Sequence, residues 1–120
     1  FALAVGGLSV GVLNLNNMRD MENDTAVGKK TIAAILGLVK AKRYHAFVLF
    51  LSMLALALGL AETAKNNVQL LPIIIVLPVT IQLRKTLNTT SFALFDAQLK
   101  PLALATFVLS ILLFITQLIQ

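Results

Sequence analysis

Residues 44–61 read YHAFVLFLSMLALALGLA, an uninterrupted run with no Asp, Glu, Lys or Arg. A bilayer core about 30 Å thick is crossed by about 20 helical residues, so this run is the length of a membrane span. Three more apolar stretches surround it. Residues 68–83 read VQLLPIIIVLPVTIQL, residues 101–119 read PLALATFVLSILLFITQLI, and residues 1–15 read FALAVGGLSVGVLNL. The run 68–83 is short for a span and carries Pro72 and Pro78, which membrane helices tolerate when neighbours satisfy the freed carbonyls. The expected fold is all-α and integral to a membrane, a single transmembrane domain over 1–120 with about four helices near 1–15, 44–61, 68–83 and 101–119.

Composition points the same way. Of 120 residues, 58% are hydrophobic and only 12% are charged, about half the charged share of an average soluble domain. Mean hydropathy is +0.90. These values exclude a disordered chain, a soluble nucleic-acid binder and a disulfide scaffold; no nucleic-acid partner is expected. The net charge of +5 reflects basic loops beside lipid. With no cysteine and a single histidine, thiolate metal sites and Ser-His-Asp chemistry have almost no material. The chain opens at Phe1 with no basic leader, so a signal peptide is not expected. It reads as starting inside a membrane helix, as the C-terminal part of something longer.

Loop charges orient the helices. Segment 16–43 holds Arg19, Lys29, Lys30, Lys40, Lys42 and Arg43, and segment 84–100 holds Arg84, Lys85 and Lys100. Segment 62–67, on the opposite side, holds only Lys65. The positive-inside rule places the first two in the cytoplasm, and a multi-pass protein of the cytoplasmic (inner) membrane is expected. Within the first loop, Ile32, Ile35, Leu36 and Val39 fall at helical spacing, which predicts a short amphipathic helix at the membrane surface. Lys40, Lys42 and Arg43 follow it, placed for lipid head groups. Phe92, Phe95 and Leu99 predict a weaker interfacial or lid helix.

Three of the five acidic residues crowd into Asp20–Asp24, just past the first apolar stretch. If the helix continues, Asp20 and Asp24 share one face, with Asn16 a turn earlier and Asn17 and Arg19 to its sides. Two carboxylates at that spacing repel, but a divalent cation reverses the sign. Mg²⁺ takes oxygen ligands and commonly bridges one or two carboxylates to substrate phosphates. Arg19, Lys29 and Lys30 are suited to the outer phosphate oxygens. Zinc would want His or Cys. The plain alternative is a solvated polar loop between helices. Glu22 points to another face and reads as solvated. Arg84 and Lys85 read as interfacial anchors, Asp96 as a surface partner of Lys100, and His45 as an interfacial residue at the start of a span.

The run N-N-x-R-D-x-x-x-D-x-x-x-G-K-x-T, Asn16 through Thr31, resembles the second aspartate-rich motif of the UbiA superfamily of membrane prenyltransferases, most of all its dihydroxynaphthoate polyprenyltransferase branch in menaquinone biosynthesis. The stretch Phe95-Asp96-Ala97-Gln98-Leu99-Lys100 before an apolar run is also similar. The resemblance implies helices six to nine of a nine-helix bundle. It implies Mg²⁺ held by Asp20 and Asp24, and a polyprenyl diphosphate bound through Asn16, Asn17, Arg19, Lys29 and Lys30. The implied reaction transfers the polyprenyl group to 1,4-dihydroxy-2-naphthoate with loss of CO₂ and diphosphate, giving demethylmenaquinol. Family members carry a first Asp-rich motif on a preceding half; none is present here, so residues 1–120 are expected to be inactive alone and to need that N-terminal half as partner. Competing readings are a UbiA-type enzyme with another acceptor (4-hydroxybenzoate or a chlorin), a small membrane transport subunit that binds a cation, and a structural segment without a site.

Overall fold

The computed structural model describes residues 1–118 and is mostly helical, with no strand among the described residues. Helix α1 runs Ala2–Arg19, α2 Met21–Ala26, α3 Ile32–Leu36 and α4 Leu38–Thr63. A 3₁₀ segment, Asn67–Ile75, feeds α5, Val76–Asn88; a second, Phe92–Phe95, feeds α6, Asp96–Leu118. Three units are long and apolar enough to cross a bilayer: Leu38–Thr63, Asn67–Asn88 and Phe92–Leu118. Helix α1 packs beside them as the fourth member of the bundle. Its 18 residues end in polar Asn-Leu-Asn-Asn-Met-Arg, which lowers its hydropathy.

The boundaries moved outward from those expected. Helix α4 begins at Leu38, six residues before the expected 44, because Lys40, Lys42 and Arg43 are good helix formers and extend the apolar run into the interface. The short third stretch reaches the needed length by its 3₁₀ start. Pro72 and Pro78 each lack a backbone N–H to donate. Pro72 lies inside the nine-residue 3₁₀ segment, and Pro78 lies in the first turn of α5, where a missing N–H costs least. At ~2.0 Å per 3₁₀ residue and ~1.5 Å per α residue the unit spans roughly 37 Å, enough for the bilayer core. The long axis of the molecule is 51 Å, against about 40–45 Å for a bilayer with head groups. Residue 119, the expected end of the fourth stretch, lies outside the described residues.

Helix α1 is the packing centre, in contact with both α4 and α6. Its buried positions Ala4, Leu8, Gly11, Leu15 and Met18 alternate by fours and threes, the spacing of a helix–helix seam. They meet Leu49, Leu56 and Leu60 of α4 and Leu102, Ala105 and Leu109 of α6 in one core. Small residues let the backbones close: a Cβ at Gly7 would lie 2.0 Å from Ser52 Oγ, and one at Gly11 would lie 2.8 Å from Leu49 Cδ2. Membrane helices use small residues at such contacts because lipid supplies no hydrophobic drive between them. The outer faces are apolar, with Leu3, Phe47, Leu77 and Phe114 exposed.

The expected amphipathic helix over 32–39 is split. Gly37 has φ 73 and ψ 161, a region only glycine enters readily, so α3 stops at Leu36 and α4 starts at Leu38 in a new direction. Thr31 caps α3, its Oγ1 accepting from Ala34 N at 3.2 Å. Phe92 and Phe95 do not form an interfacial lid helix either. Phe95 is fully buried, and its 3₁₀ turn joins α6 directly.

Candidate active site

Helix α1 ends at Arg19, and Asp20 leaves the helical basin at φ −89, ψ 4. The chain then resumes as α2, with Asp24 N donating to Asp20 O at 2.8 Å. The expected continuous helix is therefore bent at Asp20, although the four-residue hydrogen-bond register from Asp20 to Asp24 survives.

Two networks hold the expected site residues. In the first, Arg19 Nε donates to Asp20 Oδ1 at 2.8 Å and Nη2 to Asp20 Oδ2 at 3.0 Å, a bidentate pair. The same Nη2 donates to Asn16 Oδ1 at 2.9 Å, and Asn16 Nδ2 donates to Asp20 Oδ2 at 3.3 Å. Arg19 Nη1 reaches across 77 residues of sequence to Asp96 Oδ1 at 2.9 Å. The hydrogen bond from Arg19 holds the Asp20 carboxyl below its ordinary value, against the opposing effect of burial. A carboxylate must be ionised to ligate a metal, and Arg19 favours that state.

The second network is set by a helix terminus. Gly28, at φ 73, turns the chain so that Lys29 N donates to Asp24 O at 2.8 Å and Gly28 N to Thr25 O at 3.1 Å. These are the two bonds of a Schellman motif. The turn brings Lys29 Nζ to 3.1 Å from Asp24 Oδ1. Asp24 is buried, and its Oδ2 has no hydrogen-bond partner. A buried carboxylate oxygen without a partner costs free energy, which a cation would relieve. Asn17 and Lys30 join neither network among the described residues; Asn17 is half-buried and Lys30 exposed. Glu22 is exposed, as expected.

The donor set suits a hard cation that carries its own phosphate ligands. No group of three or more His, Cys, Asp or Glu side chains gathers among the described residues. Mg²⁺ does not need one, since it keeps waters and takes one or two carboxylates plus phosphate oxygens.

Several residues stand elsewhere than the sequence suggested. Asp96 pairs with Arg19 rather than Lys100. Lys42 has protein partners the sequence did not suggest: its Nζ donates to Leu87 O at 3.1 Å and to Thr89 O, capping the C-terminal end of α5, and lies 6.0 Å from the centre of the Phe95 ring. His45 is fully buried, not interfacial, because the earlier start of α4 puts it two turns inside the helix, on the face of Ala41, Leu49 and Ser52. Asn14, unremarked in the sequence, is buried beside it and donates to Ala41 O at 3.1 Å. Arg19–Asp96 and Lys42–Thr89 together bring segments 16–43 and 84–100 to one end of the bundle, as the two spans between them require.

A groove of about 570 Å³ opens on the α1–α4 face, lined by Leu3, Gly6, Val10, Val48, Leu51 and Leu58 among others. It lies toward the end of α1 away from Arg19.

No protein-family model matches the chain, and no solved structure matches it significantly. Two curated relatives do. Over 57 residues, 48% of the chain, it is 49% identical to a 1,4-dihydroxy-2-naphthoate octaprenyltransferase of Escherichia coli (strain K12). Over 53 residues, 44% of the chain, it is 43% identical to the protein of the same name from Haemophilus influenzae (strain ATCC 51907 / DSM 11121 / KW20 / Rd). The matches cover 18% and 17% of those relatives. Over those residues they bear out the resemblance to UbiA-type prenyltransferases.

Proposed function

We propose that residues 16–30 form one half of a Mg²⁺–diphosphate site in a membrane prenyltransferase whose acceptor is 1,4-dihydroxy-2-naphthoate. The observation that carries this is the pair of carboxylates one turn apart, Asp20 gripped in a bidentate pair by Arg19 and Asp24 with a buried unpartnered oxygen. The named relatives supply the substrate class. Asp20 and Asp24 would hold Mg²⁺; when bound, the ion supplies Lewis-acid neutralisation of the leaving diphosphate. Lys29 and Lys30 bind outer phosphate oxygens, and Asn16 and Asn17 orient ligands or water. Arg19 has five N–H donors and spends four on protein partners. Its contribution to phosphate is therefore one donor and its charge, and its larger task is to hold Asp20.

In the reaction the allylic C–O bond of the polyprenyl diphosphate breaks and diphosphate leaves with the electron pair. The ring carbon that bears the carboxylate forms the new C–C bond. CO₂ then departs, and the electron pair of its bond to the ring restores aromaticity, giving demethylmenaquinol. The α1–α4 groove is apolar enough for part of the polyprenyl chain. A second acid-rich motif from outside residues 1–120 completes the site, so these residues alone do not turn over. The protein lies in the cytoplasmic membrane with this end of the bundle inward, on the strength of its loop charges.

The test uses membranes holding the full-length enzyme, Mg²⁺ and a polyprenyl diphosphate, with dihydroxynaphthoate and 4-hydroxybenzoate offered in parallel. The expected product by mass spectrometry is a prenylated naphthoquinol that has lost CO₂, absent in D20A and D24A. Prenylated hydroxybenzoate alone refutes the acceptor; undiminished transfer in D20A refutes the metal site.

A further inference from the structure

The Arg19–Asp96 pair has a form that stability does not explain. Asp96 is 69% exposed and Arg19 33%, and exposed ion pairs contribute about 0–1 kcal/mol. Yet both partners are well placed. Asp96 follows Phe95, which is fully buried, and its backbone starts α6 directly from the 3₁₀ turn. Lys42, bonded to the end of α5, lies over the Phe95 ring. The carboxylate is therefore presented from the packed core, although its oxygens meet solvent. It takes the outermost guanidinium nitrogen, Nη1, while Nε and Nη2 grip Asp20. A planar guanidinium held at both edges cannot turn about its own plane without breaking bonds.

We infer that Asp96 is a positioning residue for the diphosphate site: it fixes the plane of Arg19, and Arg19 in turn fixes the carboxylate of Asp20. The relay joins the two ends of the chain, α1 to α6. It rests on the proposed function, because it assumes that Asp20 ligates the metal. Asp96 itself touches neither metal nor diphosphate.

The experiment uses the full chain, with any flanking sequence it naturally carries, in nanodiscs. Mn²⁺ replaces Mg²⁺, inorganic diphosphate is the probe, and bound Mn²⁺ is read by electron paramagnetic resonance. D96A and D96N weaken Mn²⁺ binding roughly tenfold, the scale on which partners of metal ligands act, and D96E restores it. R19A weakens binding too, and R19A/D96A is no weaker than R19A, since Asp96 acts through Arg19. Should D96A not fold, the near-isosteric D96N and the charge-conserving D96E carry the comparison. Wild-type binding that D96N leaves unchanged overturns the inference and leaves the metal site standing. An added loss in R19A/D96A over R19A overturns the relay, because Asp96 then acts directly. A wild-type chain that binds no Mn²⁺ with diphosphate overturns the metal–diphosphate reading, and the inference with it.

Discussion

Gly28→Ala tests how far one backbone angle sets the site. Gly28 has φ 73, and a Cβ there meets nothing within 4 Å. The penalty is therefore conformational, not steric, and about 1–2 kcal/mol for an L-residue in that region. It falls on the two hydrogen bonds that close α2, from Lys29 N to Asp24 O and from Gly28 N to Thr25 O. Helix α2 has only six residues and cannot stand by itself, so the local turn relaxes while the bundle stays folded. Lys29 then leaves Asp24, and the Mn²⁺–diphosphate complex loses roughly 5- to 30-fold in affinity at 1.4 kcal/mol per decade. Isothermal titration in nanodiscs reads that loss, and circular dichroism on heating reads an unchanged Tm. Gly28→Asn retains more affinity, since Asn enters the left-handed region more readily, and Gly28→Val retains least. Affinity equal to wild type in both Gly28→Ala and Gly28→Val would refute the claim that this turn presents Lys29 and Asp24.

Three further outcomes follow from other parts of the molecule. Gly37→Ala strains the α3–α4 junction by about 1–3 kcal/mol, read as a lower Tm in detergent; an unchanged Tm means the junction can rebuild. Gly7→Ala sets a Cβ against Ser52 Oγ, which is bonded to Val48 O at 2.7 Å, and costs about 1–3 kcal/mol. Adding Ser52→Ala recovers much of it, and a strictly additive double variant contradicts the contact. Arg19→Gln lets the Asp20 carboxyl rise toward its ordinary value, followed by carbonyl carbon NMR across a pH series. In wild type its folded value is lowered, so the pair's modest stabilisation is complete above the ordinary carboxylate range. It is lost only as pH falls through that lowered value; a midpoint unmoved by Arg19→Gln contradicts the pairing.

The membrane fold was legible because apolar length and the charges of 16–43 and 84–100 act locally and additively. The candidate site near Asp20 and Asp24 stood out in the sequence for a similar reason: like charges crowded at a helix end are costly unless something binds them. Spacing could not show that Gly37 breaks the amphipathic pattern over 32–39, because hydrophobic periodicity carries no information about a positive φ. Nor could it reveal Asp96 as the partner of Arg19. Lys100 is the nearer cation in sequence, and only the packing of α6 on α1 brings residues 77 apart within 2.9 Å. His45 and Asn14 were likewise decided by packing. Their depth depends on which face of α1 meets α4, and that is set by the close approach at Gly7 and Gly11. By itself the sequence determined that the chain is helical, membrane-bound and acid-bearing at one helix end. The tertiary structure decided which charges meet, because pairing across the bundle depends on helix crossings that no local spacing encodes.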